Sequence, residues 1–107
     1  MSYEFEVDCI LQDGLVLGRN GRGDVPLGTV FTALVKRRLE ADLITLVELD
    51  SPSCVDLKLT EVQWYRRSTA FIPGGHTAAL RLEGTGLGAM SDALAARQER
   101  ESILLRT

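Results

Sequence analysis

Ten arginines against two lysines, Lys36 and Lys58, are the main chemical resource of this chain. A guanidinium is a planar, permanently charged fork that suits phosphates and carboxylates. Arg19 and Arg22 flank glycines in "GRNGRGDVPLG" (18–28). Genome composition is the simplest source of the arginine bias, and solvated charge the simplest role for these two. The Arg22-Gly23-Asp24 tripeptide reads as part of a turn, not as an adhesion signal. Asn20-Gly21 is a turn dipeptide, since no helix follows it to make a phosphate cradle. The single histidine, His76, beside Glu83 or Asp56, has the titration range for proton transfer. No nucleophile, oxyanion donor or second base accompanies it at a recognisable spacing, so His76 reads as a strand-edge residue and the chain as no enzyme.

Cys9 and Cys54 lack metal-ligand spacing, and one histidine cannot complete a zinc site with them. No metal or cofactor is expected. Cys9 falls on the apolar side of an alternating run, where a free cysteine packs as a small hydrophobe. A Cys9–Cys54 disulfide stays open at this stage.

These side chains must be positioned by a small fold. With 107 residues, 45% hydrophobic and 25% charged, the chain has room for one domain with a modest core. A net charge of −3 argues against a dedicated basic nucleic-acid binder, without excluding a local patch. "MSYEFEVDCI" reads as a natural start without a leader, and no apolar run reaches membrane-spanning length. A reduced, cytoplasmic protein with no membrane partner is expected.

The dominant period is two. Phe5, Val7, Cys9 and Leu11 alternate with Glu4, Glu6, Asp8 and Gln12, as one buried and one wet strand face do, broken only by Ile10. Asp13-Gly14 marks a hairpin into "GLVLGR". Residues 28–39 and 42–49 predict a second hairpin, and "DSPS" (50–53) a turn. The alternation through Leu57 and Leu59 slips phase at Thr60-Glu61 before Val62 and Trp64, which predicts a β-bulge. As strand neighbours, Trp64 and Tyr65 are expected on opposite faces, one toward the core. "IPGG" (72–75) turns the chain into a strand whose inner face is Ala78, Leu80 and Leu82. Leu87, Met90 and Leu94 recur at helical spacing, so a helix is placed near 88–99 and a last strand at "SILLRT". Many short strands and one late helix predict an all-β, small closed antiparallel barrel.

Two stretches add a family resemblance. "LVLGRNGRGDVPLGTVF" resembles the signature hairpin of the second domain of translation elongation factor Tu and related translational GTPases. Gly18, Arg19, Arg22, Gly23, Val25, Leu27, Gly28 and Phe31 hold its pattern without a gap. "LTEVQWYRRSTAFIPGGHTAALRLEG" (59–84) resembles the later strand, turn and closing strand, through Val62, Tyr65, Arg66, Gly75, Leu80, Leu82 and Gly84. The resemblance implies a Greek-key barrel over residues 1–107, with Gly18, Gly23, Gly28, Gly75 and Gly84 at turns. It also leaves two elaborations: a hairpin arm about 32–56, and a helical insertion about 86–100. The nucleotide-binding domain is missing, since no Gly-x-x-x-x-Gly-Lys-Ser/Thr occurs, and no nucleotide partner is expected.

In the family this barrel holds the aminoacylated 3′ end of tRNA, through a Glu, an Arg and an Asn. Arg66 keeps the Arg; Gln63 and Thr77 stand at the other two positions, with Glu4 near a further acidic one. The expectation is a non-enzymatic binding module that engages another protein, in a regulatory, accessory or immunity-type role, with contacts at Arg37, Arg38 and the helix. The alternative is binding of RNA, a tRNA end or the ribosome through Arg66, Gln63, Thr77, Arg67, Arg19, Arg22 and an aromatic at 64 or 65.

Overall fold

The structure, a computed structural model, describes residues 2–107. Nine strands and one helix follow in order: β1 Glu4–Ile10, β2 Val16–Asn20, β3 Val25–Pro26, β4 Val30–Leu39, β5 Leu46–Trp64, β6 Arg67–Thr69, β7 Phe71–Ile72, β8 Thr77–Thr85, α1 Leu87–Ala96 and β9 Glu101–Arg106. Six strands pair antiparallel in the order β4-β9-β1-β2-β8-β5, and β5 returns to β4, so the sheet closes into a ring. β6 hangs on β5 as a short flap, and β3 and β7 form a separate two-stranded ribbon.

The alternating residues explain the ring. Phe5, Val7, Val16, Phe31, Leu57, Leu59, Val62, Leu80, Ile103 and Leu105 are wholly buried in one cluster, with Val25 and Ile72 of the ribbon joining them. Each large apolar side chain so buried contributes roughly 1.5–3 kcal/mol. Gly18 lies within the strand pairing, opposite Val7 and Ala78, rather than at a turn. A Cβ there would stand 2.1 Å from the Glu6 carbonyl oxygen and 2.5 Å from the Phe5 ring, so the close approach demands glycine. Gly84 also corrects the turn reading: it pairs with Leu57 inside β8. Gly23, Gly28 and Gly75 do occupy turns, with φ of +81°, +89° and +75°.

Several expectations fail where the pairing slips. Between Val7 and Cys9, β1 advances two residues while β2 advances one, so Asp8 is an inserted residue. The slip turns Cys9 outward, and both Cys9 and Cys54 are free and exposed. Leu11 leaves the strand for the hairpin loop, where it is exposed. Residues 50–53 are not a turn: β5 runs on through them, carrying two more residues than β4 between the Leu34↔Ser53 and Lys36↔Leu49 pairs. Asp50, at φ +59°, absorbs that bulge. The slip foreseen at Thr60 is present, between the Leu59↔Leu82 and Glu61↔Arg81 pairs.

Trp64 and Tyr65 do not divide between core and solvent. Tyr65 and Arg66 have φ of +52° and +61° and form the two-residue link from β5 to β6. Positive φ at both positions is the geometry usually given to Asn-Gly, so the sequence carries no warning of it here. The helix ends three residues earlier than expected. Met90 and Ala93 are buried and Leu94 packs against the core, but Leu87 is exposed. Arg97, just past the helix, donates to the Val7 and Asp8 carbonyls at 3.4 and 3.3 Å, which ties it to the β1 bulge. Among the described residues, no helix is long and apolar enough to cross a membrane.

Candidate functional site

Two surfaces gather the chemistry, and the ring positions both. The first centres on Arg19, which faces outward on β2 between Glu6 of β1 and Thr77 of β8. Arg19 borders four adjoining cavities of about 180, 260, 580 and 460 Å³. The largest lies between the Gly21–Asp24 loop and the Gly74-Gly75 turn, with Arg22 on its rim. The next is walled by Trp64, Tyr65, His76 and Thr77. The Trp64 ring meets Tyr65 edge-on at 4.8 Å between centroids and His76 at 5.3 Å, making an exposed aromatic cluster beside a guanidinium.

Ion pairing separates the arginines into two groups. Arg37 pairs with Glu4 at 3.7 Å, Arg38 with Glu40 at 3.0 Å, and Arg81 with Glu61 at 3.1 Å. Arg106 bridges Glu4 and Glu48, and both bonds hold its guanidinium more firmly protonated than usual. Among the described residues, Arg19, Arg22, Arg66 and Arg67 form no such pair. Arg66 lies in the link from β5 to β6, and Arg67 opens β6 opposite Trp64, both next to the aromatic cluster. The expected residues are thus brought together in part. Arg19, Arg22 and Thr77 share the groove, and Arg37 reaches it beside Glu4. Gln63 is occupied elsewhere, donating to Glu61 at 2.9 Å. That bond, followed by the Arg81 contact, holds the Glu61 carboxyl below its usual range.

The groove rests on Asn20, which is 2% exposed. Its amide nitrogen donates to the carbonyls of Gly23, Ile72 and Pro73 at 2.9, 3.0 and 3.2 Å, clasping the two glycine-rich turns together. The turn-dipeptide reading of Asn20-Gly21 is corrected here: Asn20 closes β2 opposite Phe5 with its side chain inward, and spacing along the sequence does not signal that role.

The second surface is the arm, where β4 and β5 continue as a hairpin past the ring. Asp42 shapes its tip by accepting the N–H groups of Ile44 and Thr45, each at 2.9 Å, and the Thr45 hydroxyl at 2.7 Å. Leu43 takes φ +59°, and the turn points apolar groups outward: Leu43 is 65%, Ile44 83% and Leu46 54% exposed. Arg38 is committed to Glu40 in this arm, away from the groove.

The Asp42 bonds, led by the Thr45 N–H, hold its carboxyl below the ordinary value of 3.8. A depressed carboxyl contributes order that is complete above the unfolded value and is lost as pH falls through the folded one. The Ile44 and Thr45 amide resonances are therefore expected to stay fixed down to about pH 4 and move together below it. A midpoint at or above the ordinary value in an NMR titration would show that Asp42 does not hold the tip.

No family model, curated protein or solved structure matches the chain.

Proposed function

We propose that the chain is a non-enzymatic, cytoplasmic binding module that engages another protein through its arm, in a regulatory, accessory or immunity-type role. The observation that carries this reading is the fixed apolar tip. Leu43, Ile44 and Leu46 stand in water on a turn braced by three bonds to one carboxylate. A cluster of exposed apolar groups on a rigid support is what a protein contact site offers. The architecture is proposed as a freestanding Greek-key barrel of the translation-factor domain-2 type. Its support is the closed six-strand ring, the glycine turns at 23, 28 and 75, and the arm and helix added to it.

A second reading has its own observation. Arg19, Arg66 and Arg67 are free of carboxylates beside the Trp64, Tyr65 and His76 rings, and Arg22 lies further along the same groove, an arrangement suited to phosphate contact with base stacking on an RNA or tRNA end.

One experiment separates the two. A photo-crosslinking amino acid is placed at position 44 or position 65 of the full chain in a native extract. The protein reading expects a discrete, nuclease-resistant adduct from position 44. A nuclease-sensitive adduct from position 65, with none from position 44, would replace it with the RNA reading.

A further inference from the structure

The arm carries a second feature besides its apolar tip. From Leu46 to Val55, β5 pairs only with β4; its pairing with β8 begins at Asp56. Among the described residues, the other edge of that ten-residue stretch therefore has no strand beside it. Leu39 donates its N–H to Arg100 on the side away from β5, whereas Glu40 donates to Thr45. Antiparallel pairs alternate between hydrogen-bonded and open. The Leu39↔Leu46 and Arg37↔Glu48 pairs are then the open ones, and Leu46 and Glu48 direct their N–H and C=O groups to the free edge.

Proteins usually blunt such an edge with a proline, a bulge or a lysine. Here Asp50 and Pro52 blunt its far half, but Leu46–Leu49 has none of these devices. Its charge is also one-sided. Between Arg38 and Lys58 the chain holds five carboxylates, Glu40, Asp42, Glu48, Asp50 and Asp56, and no Lys, Arg or His. Glu40 and Glu48 are paired with arginines, while among the described residues Asp50 and Asp56 have no cation within 4 Å. A second copy of this chain would set the same acidic edge against itself, and like charges facing across strands are destabilising.

We propose that Leu46–Leu49 accepts an extended segment of a partner protein as an added antiparallel strand, one alternating Lys or Arg with Val, Ile or Leu. Main-chain bonds to Leu46 and Glu48 hold the segment in register. Its cations lie toward Asp50 and Asp56, and its apolar side chains continue the surface of Leu46 and Ile44. This assignment rests on the protein-engaging reading of the arm and specifies the chemistry of the partner.

The probe is an octapeptide alternating Lys and Val, acetylated and amidated, added to the full isotope-labelled chain. Binding is followed by fluorescence anisotropy and by amide exchange. The expected result is saturable binding that slows exchange at Leu46 and Glu48. N-methylation of alternate peptide amides, which keeps charge and apolarity but removes donors, is expected to weaken it by about tenfold or more. A Glu-Val octapeptide is expected not to bind. Asp50→Asn with Asp56→Asn, chosen because Asn tolerates the positive φ at position 50, is expected to weaken binding severalfold. Equal affinity for the N-methylated peptide, or binding without protection at Leu46 and Glu48, overturns the proposal. So does the same protection arising in the free chain as its concentration is raised, since that assigns the edge to a second copy. A protein crosslink at position 44 together with an unprotected edge would overturn strand addition alone. Absence of both would remove the protein-engaging reading with it.

Discussion

Gly84→Ala is expected to cost about 4 kcal/mol, enough to leave much of the chain unfolded at moderate temperature. Two independent penalties meet at this residue. Its φ of +139° is a region that side chains rarely adopt, and forcing one there costs about 1–3 kcal/mol. An added Cβ would also stand 1.8 Å from the Asp56 carbonyl oxygen and 3.0 Å from its carbon. That obstacle is backbone on the paired strand β5, so no rotamer change relieves it. β8 and β5 would have to separate where the ring hands over to Gly86 and the helix. The measurement is the urea midpoint of the variant against Gly88→Ala. Gly88 sits in α1 with nothing within 4 Å of an added Cβ, and alanine there is expected to be neutral or stabilising by up to about 1 kcal/mol. A Gly84→Ala loss below about 1 kcal/mol would show that β8 does not lie this close to β5.

Much of the ring is legible from period-two alternation, because a residue's face in a strand is set by its parity. Phe5 and Val7, Leu57 and Leu59, and Ala78, Leu80 and Leu82 all point inward as their spacing requires. Parity also explains the failures. One inserted residue reverses every later face, so the Asp8 bulge sends Cys9 outward although its spacing places it inside. The Thr60 slip was visible only because apolar residues resume on its far side at Val62. Ile10 is the corresponding mark after Asp8, apolar out of phase and paired with the buried Val16, but the strand ends there and a single residue does not establish a new phase. Turn chemistry misleads at "DSPS" for a related reason: Asp and Ser suit a bulge as well as a turn, and only the pairing with β4 distinguishes them.

The surfaces were less legible than the core. Arg19, Arg22 and Thr77 share a groove because β2 lies between β1 and β8, a pairing that spacing along the chain does not encode. Equally, nothing local marks Arg37 and Arg106 as paired and Arg66 and Arg67 as free. Glu4, which Arg37 and Arg106 share, lies at the opposite end of the chain from Arg106. The arm is the hairpin that its two apolar runs predict. The sequence singles out its cations, Arg37 and Arg38, which pair with Glu4 and Glu40; it does not single out Leu43, Ile44 and Leu46, which the tip holds in solvent.

The groove should depend on Asn20 more than on any residue that lines its rim. Asn20→Leu keeps the volume roughly constant while removing the donor shared by the Gly23, Ile72 and Pro73 carbonyls. An amide has two hydrogens for these three acceptors, so the loss is about two bonds together with the burial of acceptors left unpaired. At about 1–3 kcal/mol for each acceptor stranded, a loss of about 3 kcal/mol is expected. The loss should also have a location. The Gly21–Asp24 loop and the Pro73–His76 turn are joined besides by the Gly75 N–H to Gly21 and the Asn20 N–H to His76, at 2.8 and 2.9 Å. Amide exchange at Gly75 and Asn20 should therefore quicken far more than at Val7 or Leu105 in the ring core. Arg19 would then no longer hold a fixed geometry between the aromatic cluster and the glycine turns. Uniform acceleration across the ring would instead make Asn20 a general core residue, and would remove the physical basis for treating the two glycine turns and Arg19 as one surface.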